Sequence, residues 1–239
     1  MNRLRWPIFS VALVSLLLLV FSGLGVRMGL WTFRTGFQLL RWTVYLGVGA
    51  AILSVLLLIA LSIRGGRGRG VLAIALLIGL GAASVPYSQL RKARSLPPIH
   101  DITTDTVEPP PFVAVLPLRA GASNKAEYGG DEIAAKQKTG YPDIQPLHLD
   151  AAPAEAFPKA LAAAKAMGWE IVAENPAEGR IEATATTFWF GFKDDVVLRL
   201  RPDGTGTRVD MRSVSRVGGS DVGANAARIR AFFARLKST

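Results

Sequence analysis

Three apolar runs dominate the N-terminal part of the chain, at residues 8–26, 42–63 and 71–90, and no charged residue interrupts any of them. Each is close to the roughly 20 residues that a helix needs to cross the hydrocarbon core of a bilayer. No water is available there, so a spanning segment must satisfy its own backbone, which a helix does. The runs therefore predict three transmembrane helices. In the third, Ala75, Gly79 and Ala83 recur every four residues. On a helix they share one narrow face along which a neighbour can approach closely, although small residues are ordinary in any apolar run.

Beyond residue 140 the pattern shortens. Asp150 and Pro153 mark a helix start, Phe157, Leu161 and Ala164 repeat at helical spacing, and Gly168 stops the helix. Pro158 implies that the regular part begins there or that the first turn is distorted. Strands are predicted at 169–174 and 180–192 around a turn at 175–179, and at 194–201 and 207–215 across Pro202-Asp203-Gly204. A closing helix capped at Ser220 carries Val222, Ile229, Phe232, Phe233 and Leu236 on its apolar face. The expected fold class is α+β. Three N-terminal transmembrane helices precede a small domain with a mainly antiparallel sheet of about four to five strands, covered on one face by two helices.

Period-two alternation sorts the sheet into faces. Trp169, Ile171, Ile181, Ala183, Ala185, Val196, Leu198, Leu200, Val209 and Met211 fall on the face the helices should cover. Glu170, Glu174, Glu182 and Asp210 fall on the other, with Arg199, Arg201, Arg208 and Arg212. Matched charges of this kind predict a solvated surface with cross-strand pairs. The same alternation places Thr187 and Trp189 on the helix-covered face and Phe188, Phe190 and Phe192 opposite. Three phenylalanines left in water would forgo roughly 5–9 kcal/mol. They require a cover: a bulge near Gly191 that turns them into the core, residues 112–118, the bilayer surface, or a partner.

The segment between these halves is Pro-rich. Pro97, Pro98, Pro109, Pro110, Pro111 and Pro117 predict an extended, stiff arm over residues 96–117. Residues 112–118 could add an edge strand, and residues 119–140 lack periodicity and read as a mobile loop. The expected organisation is a membrane anchor at 1–94, the arm and loop at 95–140, and the α+β domain at 141–239.

Charge changes the picture once it is divided along the chain. The formal net charge is +10, yet residues 1–95 hold eleven Lys and Arg with no Asp or Glu, and the remainder holds seventeen against eighteen. The excess reads as a membrane-topology signal, and nucleic acid is not an expected partner. With the N-terminus in the cytoplasm, Arg3, Arg5, Arg64, Arg67 and Arg69 lie inside, while Arg27, Arg34, Arg41, Arg91, Lys92 and Arg94 lie outside. The count alone is a tie. The dense basic loop at 64–69 favours N-in, whereas the first loop mixes its Arg with Leu30, Trp31, Phe33, Phe37 and Leu40, as in a helix lying in the headgroup layer. Three spans from an N-in start put the C-terminal domain outside, in the periplasm of a bacterial cell.

Candidate chemistry is sparse. The chain has no Cys, which excludes thiol nucleophiles and Cys-ligated metal, and His100 and His148 stand apart without metal-ligand spacing. His100 reads as a solvated linker residue. Asp194, Asp195 and Asp221 could serve a metal-dependent hydrolase, but adjacent residues on a strand face opposite sides, so Asp194 and Asp195 do not naturally share a site. No metal or cofactor is expected.

Four blocks carry a resemblance: PPIHDITTD, YPDIQPL, RIEATATTFWFGFKDDVV and RSVSRVGGSDVGANAARIRAF. Together they resemble family 1499 of the domains of unknown function, over about residues 95–237. The resemblance implies an envelope or plastid-related domain, often behind membrane spans, and it implies no reaction. The expected role is thus a non-enzymatic, inner-membrane module with a periplasmic domain, docking on the lipid bilayer or on a membrane or envelope protein. Its expected binding surface comprises Phe188, Trp189, Phe190, Phe192, Lys193, Asp194, Arg212, Arg216, Asp221 and Asn225.

Overall fold

In a computed structural model, which describes residues 2–65 and 68–238, the chain divides into two compact units. One takes the chain through Lys92 together with Phe188–Gly191, and the other takes Ala93–Thr187 and Phe192 onward. Arg67 of the expected basic loop lies outside the described residues.

The first unit is built on α1 (Arg5–Arg27), α2 (Phe33–Ile63) and α3 (Arg69–Ser95). All three are long and apolar enough to cross a membrane, as the apolar runs predicted. The first loop is not a separate surface helix. Phe33–Arg41 forms the opening turns of α2, which is 31 residues long, or about 46 Å at 1.5 Å per residue. An uninterrupted backbone ladder is the favoured state for a segment leaving water, so the helix continues through Arg41 instead of breaking there.

The small-residue face of α3 has the predicted use. A Cβ added to Gly79 would sit 2.5 Å from the Gly47 carbonyl oxygen, and one added to Gly47 would sit 2.6 Å from the Gly79 carbonyl. Ala75 and Ala83 are buried on the same face. Only glycine allows two backbones this close. Gly79→Val is therefore expected to force α2 and α3 apart and to cost about 1–3 kcal/mol by overpacking. An unchanged unfolding midpoint of the full-length variant in mild detergent would contradict this contact.

The second unit holds a six-stranded, all-antiparallel sheet made of β1 (Asp101–Thr103), β2 (Leu147–Leu149), β3 (Glu170–Asn175), β4 (Arg180–Thr186), β5 (Lys193–Asp203) and β6 (Gly206–Ser215). The order is β1-β6-β5-β4-β3, with β2 also pairing along β6. Two short strands from the segment before residue 150 thus take the sheet just past the four to five strands expected. Three helices belong to this unit: α4 (Gly130–Gly140), α5 (Pro153–Ala166) and α6 (Ala224–Lys237). Helix α5 runs regularly from Pro153 through Pro158, and Gly168, at φ +73°, closes it. Helix α6 starts later than Ser220, because the Asp221 carboxylate accepts hydrogen bonds from the backbone N–H groups of Gly223 and Asn225.

The inner face is the one that alternation specified. Trp169, Ile181, Ala183, Ala185, Val196, Leu198, Leu200, Val209 and Met211 form one core with Phe157, Ala160 and Ala164 of α5 and Ile229, Phe232 and Leu236 of α6. Trp169 stacks on Phe232 with ring centroids 5.3 Å apart.

The opposite face departs from expectation. It is largely covered: Glu182, Asp195 and Asp210 are all 0 % exposed and Arg212 is 3 %, while Glu170 and Glu174 of the edge strand β3 are exposed. Its cover is the segment expected as a free arm and mobile loop. Ile99 and Ile102 are buried in the main core, and Phe112 and Val115 form a second core with Val197 and Val214. Residues 112–118 add no strand. They turn into a 3-10 helix (Leu116–Arg119), and α4 follows within the stretch expected to be irregular. His100, read as solvated, is half-buried, and its carbonyl accepts from the Ser215 N–H.

Candidate functional site

The expected binding residues fall into three places. The first is the loop that interrupts the predicted strand 180–192. Strand β4 ends at Thr186, the Thr187 N–H donates to the Phe192 carbonyl at 2.8 Å, and the Phe192 N–H donates to Thr187 Oγ1 at 2.8 Å. Between them Phe188–Gly191 belongs to the helical unit. Trp189 Nε1 donates to the Val20 carbonyl of α1 at 3.2 Å, and its ring lies over Gly23. Phe190 is buried, 5.5 Å from the Phe37 ring of α2, with its edge against Gly36. Arg27, at the end of α1, donates through Nη1 to the Phe188 carbonyl at 2.6 Å. Gly191 takes φ +67° while its Cα faces Arg27, a conformation and a clearance that favour glycine. Trp189 is therefore not on the helix-covered face of the sheet, because strand alternation stops at Thr186. Phe188, by contrast, is 87 % exposed.

The second place is the buried ionic layer under the cover segment. The Arg212 guanidinium bonds both oxygens of Asp101, at 3.0 and 2.7 Å, and lies between the rings of Phe112 and Tyr128 at 5.1 and 5.5 Å. Asp195 accepts from Arg119 at 2.6 Å, from Arg216 at 2.9 and 2.7 Å, and from Thr184 at 2.8 Å. Glu182 accepts the N–H groups of Val113, Ala114 and Val115 at 3.0–3.1 Å and Arg180 Nη1 at 2.7 Å. Asp210 gathers Arg199, Arg201 and Arg208. Burial opposes the Asp195 charge, yet its hydrogen bonds from Arg216, Thr184 and Arg119 outweigh that and hold its carboxyl below the ordinary value. Burial pushes the Tyr128 phenol up to about 12.

The third place lies on the helix-covered face at the start of α6. Asp194 is paired with Arg228, which also donates to Ser213 Oγ at 2.9 Å. Asn225 Nδ2 donates to the His100 carbonyl and to Ser215 Oγ, both at 3.0 Å. Asp194 and Asp221 are neighbours here, whereas Asp195 points to the opposite face, so the three carboxylates do not converge. Among the described residues no group of three or more His, Cys, Asp or Glu is placed to hold a metal ion. Lys193 is exposed at the start of β5, and Phe192 is half-buried beside it.

A model for the family described as Protein of unknown function (DUF1499) matches residues 101–236. The chain belongs to the DUF1499 family. No curated protein matches it. The DUF1499 region opens on Asp101, the partner of Arg212, so the cover segment and its ion pairs lie within the matched residues. It also contains the aromatic loop Phe188–Gly191. The expected binding set left out Asp101, read as a turn or cap residue, together with Arg119 and Arg228. Arg228 carried a signal, since it falls on the flank of the apolar stripe of α6 that meets the sheet.

Asp221 gives a pH signature to the DUF1499 domain. Burial, with the nearby Asp194 charge, raises its pKa above the ordinary 3.8 against the pull of the Asn225 and Gly223 N–H groups. A raised folded-state value means a contribution to stability that is present below the unfolded value and lost as pH rises through the folded one. Asp221→Asn removes that dependence and keeps a capping oxygen, so at neutral pH the variant should melt within a few tenths of a kcal/mol of the parent, or above it. On acidification the parent should gain on the variant. Parallel melting curves across acid pH would show that Asp221 is not perturbed.

Proposed function

We propose that this protein is a non-enzymatic membrane-anchored module whose DUF1499 domain faces the periplasm and docks on an envelope protein or on lipid. The observation that carries the reading is the Phe188–Gly191 loop: a segment of the family domain is built into a unit of three span-length helices, and it leaves one phenylalanine exposed. Aromatic groups left open beside a polar rim are what docking surfaces use. The carboxylates that could have run chemistry are each engaged in holding the fold, Asp194 with Arg228, Asp195 with Arg119 and Arg216, and Asp221 at the start of α6.

The N-in orientation is supported by charge. Arg5 lies against Gly68, which puts the first basic cluster and the loop bearing Arg64 and Arg69 at one end of the helical unit. A reporter active only in the cytoplasm, fused after Thr239, should be silent, and a bright signal from an intact fusion would reverse the orientation. Docking is tested by placing a photo-crosslinking amino acid at Phe188 in native membranes. A discrete crosslinked protein or lipid is expected, and crosslinking to neither would remove the docking role.

A further inference from the structure

We infer that Phe188 is a membrane wedge, seated in the headgroup layer of the bilayer that α1 and α2 cross. The inference rests on the proposed anchoring and goes beyond it by naming what covers this side chain. Three observations lead there. First, depth is fixed: Arg27 Nη1 holds the Phe188 carbonyl, and Arg27 is the last residue of α1, where the helix leaves its apolar stretch. Second, the side chain is left open although its two neighbours are not. Phe188 is 87 % exposed, whereas Trp189 is hydrogen-bonded to α1 and Phe190 is buried against Phe37. The same level carries other open apolar side chains, Met28 and Leu30 in the turn between α1 and α2. An aromatic ring at the end of a spanning helix sits where an apolar body meets polar headgroups.

Third, the charge fits phosphate. Residues 1–95 contain no Asp or Glu, and Arg27 stands over the Phe188 ring at 5.9 Å, with Arg34 the second residue of the next helix. An arginine stacked on a ring is suited to a phosphodiester, with its stem along the apolar layer and its head at the interface. A water-facing role for Phe188 would leave a large apolar surface uncompensated; the bilayer that must already surround α1 and α2 covers it without a further partner.

The absence of Cys makes the test clean, because Phe188→Cys creates a unique labelling site at an exposed position. The full-length protein is labelled with a nitroxide, reconstituted into phospholipid nanodiscs, and its accessibility to oxygen and to a water-soluble nickel chelate is compared. Leu17→Cys, on the exposed flank of α1, and Met28→Cys serve as depth markers. The expected result is a deep Leu17 label, with the Phe188 and Met28 labels at matching interfacial depth. A deep Leu17 label with a water-like Phe188 label would overturn the wedge and leave the anchor standing. A water-like Leu17 label would instead sink the anchor and the wedge with it. A Phe188 label shielded from both reagents would mean that protein covers it, and would also overturn the assignment.

Discussion

Asp195→Ala should be among the most damaging single substitutions in the second unit, costing about 3–5 kcal/mol. The carboxylate is 0 % exposed and is shared by Arg119, whose side chain is almost fully buried, and Arg216, which is mostly buried. Removing it leaves two desolvated guanidinium groups facing one another. That cost is a large share of the 5–15 kcal/mol by which a domain of this size is typically stable. The same group sets an acid limit. Its folded pKa lies below the unfolded value, so its contribution is full above the unfolded value and is lost as pH falls through the folded one. Asp105 has the same sign, because backbone N–H bonds from Glu108 and Val107 and the charges of Arg208 and Arg199 outweigh its burial. The unit should therefore unfold in acid, and Asp195→Ala should lose that part of the pH dependence. Chemical denaturation of parent and variant at neutral and acid pH measures both effects. A loss below about 1 kcal/mol would mean that the pair is worth no more than a surface salt bridge. Asp195→Leu combined with Arg119→Met should recover part of the loss, since apolar groups of similar volume tolerate such a site.

How far this layer could be read from the sequence depends on which side of the sheet is considered. The inner face was legible because alternation runs through most of β4, β5 and β6 and because α5 and α6 carry complementary stripes, which assigns Ile181, Leu198 and Met211 to the core. The outer face was misread because its cover has no period. Phe112 and Val115 sit in a Pro-rich stretch that looks like a linker, and their role depends on Glu182 accepting three consecutive N–H groups from a chain segment some 70 residues earlier. Nothing in local spacing announces such a contact. A signal did exist in the sequence: Val197 and Val214 fall on the face expected to be solvated, and both are buried with Phe112 and Val115. Helix α4 was hidden for a similar reason, since GDEIAAKQKTG buries only Ala134 and Gln137. The alternative hydrolase constellation of Asp194, Asp195 and Asp221 is not assembled, because alternation along β5 puts Asp194 and Asp195 on opposite faces.

The strand reading overran at Thr186 because Thr187–Phe192 is itself rich in strand-favouring aromatic residues, and its partners lie more than 150 residues away in α1 and α2. Phe190→Ala gives the direct measure of that contact. Phe190 is buried against Phe37 and sits over Gly36, so truncation should cost the loop about 3–5 kcal/mol of its attachment to the helical unit. The sheet core does not include Phe190, so the strands should keep their stability. Local release without global unfolding is the expected outcome. Amide exchange on the full-length protein in nanodiscs separates the two. Residues 187–192 should lose protection by several orders of magnitude, while β5 and β6 hold theirs. Gly36→Val should act similarly from the other side, since its Cβ would meet the Ser22 carbonyl and the Phe190 ring. If Phe190→Ala instead collapses protection across β4, β5 and β6, the loop is part of the sheet's own core, and the helical attachment of the aromatic tip, on which the docking role depends, fails with it.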